Sequence, residues 1–328
     1  MATRVAAQIG TILVYVGLDA VGDGLMKLPF VRALRAAFPA ARITWMAGKG
    51  HTVYADSLAC LVTGLIDEVL DECGVGSRVA ELAGPRPLAG RAFDLVIDTQ
   101  RRILTTLILR RVRHRTFLSA AGNYWLSDIR PRERRKPAAM VDQLLMLADL
   151  ACGRPVAVQA PLPRDPVAEW AAGELLPPGP AYVGFAPGAG GRHKCWPLDR
   201  YIELARRLTA EGWVPVFLLG PAEAEWAAAI ATVLPEARLP LQQAAEVTPM
   251  LTIELARRLS AAVANDSGTG HMLAAADVPL VSLFGPTPPE KFAPRTRRLT
   301  VVAARAWGGE AMDLIPVEAV AAAVRGML

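Results

Sequence analysis

Asn265-Asp266-Ser267-Gly268-Thr269-Gly270-His271, running on into Met272-Leu273-Ala274-Ala275-Ala276, reads as the end of a short buried strand that turns through small residues into a helix. A helix leaving such a turn carries unpaired backbone N–H groups and about half a positive charge at its start. Glycines let backbone approach a ligand closely, and the Ser267 and Thr269 hydroxyls add donors. The chemistry this suits is the holding of a phosphate or diphosphate. An ordinary strand–turn–helix with Asp266 as its cap is the alternative. A second stretch favours the anion reading. Pro187-Gly188-Ala189-Gly190-Gly191-Arg192-His193-Lys194-Cys195-Trp196-Pro197 is another small-residue turn, and it carries a cation in Lys194. A third turn, Gly22-Asp23-Gly24 with Pro29 downstream, places a carboxylate after the first strand, where the alternative role is a helix N-cap before Leu25.

The elements that must position these turns follow from hydrophobic periodicity. Thr11 to Val16 is a strand, Gly17 to Gly24 a turn, and Met26, Phe30, Val31, Leu34 and Phe38 mark a helix that Pro39 stops. Ile43–Met46, Val69–Leu70 and Leu95–Ile97 supply further strands, and Val141–Leu150 is an amphipathic helix. A second alternation begins at Tyr182: strand 183–186, helix 199–210, strand 214–219, helix 223–234, helix 249–259, then the opening motif and the strand before Gly285-Pro286-Thr287. Alternating strands and helices imply α/β domains with doubly wound parallel sheets. Ligands of such sheets sit where turns leave the C-terminal strand ends. The boundaries expected are an N-terminal domain at 1–160, a Pro-rich linker at 161–180 and a C-terminal domain at 181–328. The last helix is free to pack back on the N-terminal domain. Trp170, Trp213 and Trp226 read as packing residues.

Bulk composition narrows the class. At 52% hydrophobic and 20% charged residues the chain is globular. The apolar run Ile9–Leu18 is too short to span a bilayer and lacks a cleavage site, so it reads as a buried strand. Cys60, Cys73, Cys152 and Cys195 are scattered, which argues against a disulfide framework or zinc site and for reduced cytosolic thiols. The net charge of +5 is uneven. Residues 101–136 hold ten Arg and one Lys against Asp128 and Glu133, a local +9, and the remainder carries −4. A solvated helix face is one reading of that segment, and a surface that concentrates anionic substrates is the other. No nucleic-acid-binding motif accompanies the charge.

In sequence the three turns are specific. Gly22-Asp23 with Leu25 and Pro29, Pro187-Gly188-Ala189 with Lys194 and Trp196-Pro197, and Asn265-Asp266-Ser267-Gly268 with His271 and Leu283-Phe284-Gly285-Pro286-Thr287 together resemble glycosyltransferase family 9. These are the lipopolysaccharide heptosyltransferases. The resemblance covers nearly the whole chain in order, and Asp98-Thr99-Gln100 before an Arg-rich helix is similar to the family's acceptor-side segment.

The resemblance implies a GT-B fold, two Rossmann-like doubly wound domains facing across a cleft, and inverting, metal-independent transfer of heptose from ADP-heptose. Asp23 resembles the general base, and Lys194 would stabilise the departing diphosphate. Gly188, Ala189, Gly190, Glu223 (as ribose-binding acid), Asp266, Ser267, Gly268, Thr269 and His271 complete the donor side. His271 is equally readable as a packed core residue. Gln100, Arg101, Arg102, Arg113 and Arg115 would face an anionic glycolipid or glycan, and Met26 stands where many relatives carry His. No metal and no cofactor are implied, the nucleotide sugar being a substrate. The expected setting is cytoplasmic, in peripheral contact with the inner-membrane surface, with no nucleic-acid partner. The alternatives are a non-catalytic nucleotide-sugar-binding protein of the same fold and a dehydrogenase. Gly17, Gly22 and Gly24 do not fit the G-x-G-x-x-G spacing that the latter needs.

Overall fold

Thr11–Val16 (β1) is rich in β-branched and aromatic residues, and Ile12 to Val16 are fully buried. Only a central parallel strand, covered on both faces, accommodates such a run. The computed structural model describes residues 9–133, 136–156 and 160–328, and the chain divides between Pro161 and Leu162 into two α/β units.

The first unit continues with α1 (Val21–Ala37), β2 (Arg42–Ala47), β3 (Glu68–Leu70), β4 (Ala92–Asp98), α2 (Ile103–Leu109), β5 (Arg113–Ser119) and α3 (Met140–Cys152). Its five strands are parallel in the order β3-β2-β1-β4-β5, so chain direction across the sheet reverses between β1 and β4. Leu13, Tyr15, Met46, Phe93, Val96, Leu109, Val112 and Phe117 form one core, and α1 packs on α3.

The second unit contains α4 (Pro166–Leu175), β6 (Tyr182–Ala186), α5 (Leu198–Ala210), β7 (Val214–Phe217), α6 (Trp226–Val233), α7 (Pro249–Ala256), β8 (Leu259–Asn265), α8 (Gly268–Ala275), β9 (Leu280–Phe284), β10 (Leu299–Ala303) and α9 (Val317–Arg325). Its sheet is again parallel, in the order β10-β9-β8-β6-β7, with the reversal between β6 and β8. Apolar clusters lie on both faces, one under α5 and α9, the other under α4, α7 and α8.

Five sequence expectations differ from what the structure shows. Gly22, Asp23 and Gly24 are in the first turn of α1 and not in a loop before it. The Arg-rich stretch is a short helix followed by a strand: Arg113 and Arg115 alternate outward on β5 while Phe117 to Ser119 are buried. Residues 166–175, expected in the linker, form α4, which Asp165 caps and which packs on α7. Trp170 on α4 is 70% exposed and packs nothing. The last helix, α9, spends its apolar face (Val317, Val320, Ala321, Val324) inside the second unit's core. Among the described residues no helix is long and apolar enough to cross a membrane.

One ion pair is buried beneath the β1–α1 junction. Lys27 on α1 contacts Asp19, whose other oxygen accepts from Thr52 Oγ1 at 2.9 Å and Trp45 Nε1 at 3.3 Å. The Asp19 side chain has no exposed surface. Removing one partner strands the other charge in a dry site, which costs about 3–5 kcal/mol. Lys27→Ala is therefore expected to lower the free energy of urea unfolding by that amount, and Asp19→Asn in the same chain to recover part of it. An unchanged midpoint in Lys27→Ala would show that the pair holds nothing.

Candidate functional site

In the second unit the two small-residue loops leave neighbouring strands β6 and β8 at the reversal of the sheet, the position where open α/β sheets bind ligands. One side chain registers them. Asn265, fully buried at the end of β8, donates from Nδ2 to the Pro187 carbonyl at 2.7 Å. Its Oδ1 accepts from Trp196 N and from Tyr201 Oη, each at 3.1 Å. The loop 187–197 is thus tied at both ends to the base of the opening motif.

Beside that tie, Lys194 Nζ lies 3.3 Å from Asp266 Oδ2, which also accepts from Thr287 Oγ1 at 2.7 Å. The cap of α8 is Ser267, not Asp266: Ser267 Oγ accepts from Gly270 N at 3.2 Å. The amides of Gly268 and Thr269, at the first two positions of that helix, have no intrahelical acceptor. His271 is 9% exposed, and burial pushes its imidazole down against the opposing pull of Asp266. Glu223 closes the other side. A Cβ on Gly188 would lie 2.5 Å from the Glu223 carboxyl carbon, so that glycine exists to let the carboxylate lie on the loop, whereas Gly190 faces open space. Arg192 braces the same loop, paired with Glu225 and 4.6 Å from the Trp226 ring centroid. Lys194, Asp266, Ser267, Gly268 and Thr269 are thereby brought together, with Gly188, Ala189, Gly190 and Glu223 along the adjoining loop.

In the first unit, Asp23 is half-buried at the third position of α1, and its Oδ2 accepts from Ala20 N at 3.4 Å. Burial pushes its carboxyl above the usual range, opposed by that one hydrogen bond. At the reversal between β1 and β4, Asp98 is fully buried and accepts from Thr106 Oγ1 at 2.6 Å, Gln100 N at 2.8 Å and Ser119 Oγ at 2.9 Å. Desolvation outweighs these donors and pushes it up to about 6.

The acceptor-side residues do not form one group. Gln100, Arg101 and Arg102 follow the C-terminal end of β4, Arg101 reaching Gln143 Oε1 at 3.4 Å. Arg113 begins β5, paired with Ala92, while Ser119 pairs with Asp98 at the far end. Six residues of strand put Arg113 about 20 Å from that edge, and Arg115 is nearer to it by only two residues. Arg110, Arg111 and Arg130 are spent on the carbonyls of Leu126, Gly84 and Trp125. Arg134 and Arg135 lie outside the described residues. Among the described residues no group of three or more His, Cys, Asp or Glu side chains is placed to hold a metal.

Sequence reasoning missed Asn265, Thr287 and Arg192. The first was quoted only as motif, since nothing in a lone buried amide announces three hydrogen bonds.

Related proteins are found both by sequence and by structure. The sequence model of glycosyltransferase family 9 (heptosyltransferase) matches residues 83–313, a stretch that contains the second-unit loops and begins after Asp23. Lipooligosaccharide heptosyltransferase 2 of Haemophilus influenzae is 35% identical over 124 residues, 37% of this chain and 36% of that protein's length. The structure of E. coli ADP-heptose lps heptosyltransferase II superposes with a TM-score of 0.69 at 25% identity, covering 97% of this chain and 98% of that one. A family 9 glycosyl transferase from Veillonella parvula gives 0.73 at 20% identity over 97% of both chains, a likeness of fold.

If Asn265 registers the loops, Asn265→Ala leaves the Pro187 carbonyl and Trp196 amide buried and unpaired, at about 1–3 kcal/mol each. Urea unfolding followed by tryptophan fluorescence is expected to show that loss. A midpoint equal to wild type would mean that the loops keep their places without it.

Proposed function

The chain belongs to glycosyltransferase family 9, and we propose on that premise that it is an inverting, metal-independent transferase that moves a sugar, heptose from ADP-heptose, onto an acidic acceptor of lipopolysaccharide-core type. The observation that carries this reading is the seat formed by Lys194, Asp266 and the start of α8. An ammonium 3.3 Å from Asp266 and a helix that starts two residues later offer the kind of donors that a departing diphosphate requires. The E. coli relative of near-equal length is named for ADP-heptose, which supports an ADP-linked donor.

In this reading the acceptor hydroxyl oxygen attacks the anomeric carbon of the donor. Its proton passes to the Asp23 carboxylate, the carbon–oxygen bond to the diphosphate breaks, and the sugar leaves with inverted configuration. ADP carries away the electron pair. Lys194 exchanges its contact with Asp266 for the diphosphate oxygens, and the Gly268 and Thr269 amides take the rest of the charge. A cation about 4 Å from a growing anion is worth roughly 4 kcal/mol at an effective dielectric near 20, enough to stand in for a metal ion. Glu223, lying along Gly188, accepts from ribose hydroxyls in this reading. The protein works in the cytoplasm, against the inner-membrane surface that carries such acceptors.

Asp23→Asn is expected to leave ADP affinity within experimental error while sugar transfer from ADP-heptose falls by about 10²–10⁴. The base must be ionised to accept a proton. Because burial raises the pKa of Asp23, wild-type kcat/KM should decline with falling pH from above the ordinary aspartate range, and the mutant's residual rate should lack that limb. Near-normal turnover in Asp23→Asn would refute the assignment. Lys194→Ala is expected to weaken ADP binding and to reduce turnover by about 10²–10³, with wild-type activity surviving EDTA. Loss of wild-type activity in EDTA would overturn the metal-free mechanism.

A further inference from the structure

His51 belongs to no motif quoted above, yet both nitrogens of its ring face carboxylates. Nδ1 lies 2.6 Å from Asp71 Oδ2, and Nε2 lies 3.0 Å from Asp56 Oδ2. An ionised carboxylate only accepts, so each contact needs an N–H, and the ring carries two only as the imidazolium. These two carboxylates are the charged groups that face the ring. Asp71 directly follows β3, and Asp56 closes the short turn Val53–Ala55. The hydrogen bond with Asp71 above all, and that with Asp56 after it, push the imidazole above its ordinary range.

What the ring holds is the segment against which the start of α1 packs. The His51 carbonyl accepts from Asp19 N at 3.0 Å, and Thr52 Oγ1 donates to the Asp19 carboxylate at 2.9 Å. Thr52 N donates to Asp71 Oδ1 at 2.8 Å, so one carboxylate grips the ring with one oxygen and the next amide with the other. Val53 and Tyr54 are buried. Tyr54 Oη donates to the Gly24 carbonyl at 2.7 Å, and a Cβ on Gly24 would lie 2.6 Å from Val53 Cγ2. Gly24 directly follows Asp23 in the first turn of α1. Segment 52–54 therefore sets where that turn lies, and the ring pins the segment from both ends, through Asp71 at Thr52 and through Asp56 after the turn.

We propose that His51, charged between Asp56 and Asp71, is a positioning residue for Asp23: it clamps the 51–56 loop against the start of α1 and releases it on losing its proton. The catalytic consequence rests on the transferase reading, and the clamp itself does not. Because the folded value is raised, the clamp is complete below the reference histidine pKa of about 6.5 and is lost as pH rises through the folded value. Transfer would then fall on the acid side as Asp23 takes a proton and on the alkaline side as His51 gives one up.

The test starts with an NMR titration of the His51 imidazole in the full-length protein, its signal assigned by its loss in His51→Gln. The wild-type midpoint should lie above about 6.5 and move toward that value in Asp71→Asn and Asp56→Asn. Amide exchange then reads the clamp without turnover. Protection of residues 20–25 and 52–55 should drop together as pH passes the midpoint in wild type, and should hold in His51→Arg, whose charge persists. In transfer from ADP-heptose, His51→Gln should lower kcat by about tenfold to a hundredfold with KM for the donor unchanged, and should lack the alkaline limb. His51→Arg should keep its rate beyond that limb. A His51→Gln profile that matches wild type, or protection that ignores the His51 midpoint, overturns the proposal. Should His51→Gln not fold, Asp56→Asn, at the exposed end of the loop, is read in the same way. A wild type that transfers no sugar counts against the transferase reading alone, and the exchange measurement still decides the clamp.

Discussion

A single buried carboxamide fixes the geometry of the two small-residue loops of the second unit. Asn265 donates to Pro187 and accepts from Trp196 and Tyr201, so one planar group fixes both ends of a ten-residue loop against the strand that launches α8. The chemistry explains the residue type. A carboxylate in its place would confront the Pro187 carbonyl with a second acceptor, and an apolar side chain would leave a buried carbonyl and amide unpaired. In the proposed reaction such pre-organisation matters, because stabilising a departing diphosphate depends on donors held in place before the charge develops. Lys194 and the first amides of α8 come from different strand connections, and the Asn265 tie is what makes their separation a property of the fold.

The first unit meets the same topological problem with the complementary group. At its reversal the three neighbours of Asp98 are all donors, namely the Gln100 amide and the Thr106 and Ser119 hydroxyls, and an acceptor-only side chain is what satisfies them. The cost of burial is visible in its elevated pKa of about 6. Asn where one donor and two acceptor contacts are needed, and Asp where three donors converge, follow from the same accounting of polar groups. The Asp19–Lys27 pair beneath α1 adds a third buried polar tie, so the turn that carries Asp23 is anchored from below by Trp45 and Thr52.

How much of this was legible in the sequence depended on whether a residue's role was local. Strand β1 fell at Thr11–Val16 because a fully apolar, β-branched run has one placement in a doubly wound sheet. The two loops of the second unit were visible because small residues followed by a helix form a local pattern. Two elements were read wrongly for the same reason. Residues 166–175 looked like linker because they fall in a Pro-rich stretch, yet Asp165 and Pro166 are a good helix start. Gly22 to Gly24 looked like a turn because glycine is a poor helix former, but first-turn amides are unpaired in any helix, so Gly there costs little. The bonds of Asn265, 64 to 78 residues apart in sequence, left no local trace.

The arginine-rich segment shows why net charge along a sequence is a poor map of surface potential. Arg110, Arg111 and Arg130 point their forks at backbone carbonyls of loops that end without caps, a task that suits a rigid, permanently charged group with five donors. Arg113 and Arg115 sit at the start of β5, at the wrong end of the sheet for a ligand. Few of the segment's arginines stand at the C-terminal edge of the first sheet: Arg101, shared with Gln143, and Arg102. Charges dispersed in this way do not add up to one field, because each fades within about 10 Å at physiological salt, and the fold spends Arg110, Arg111 and Arg130 on holding loops together.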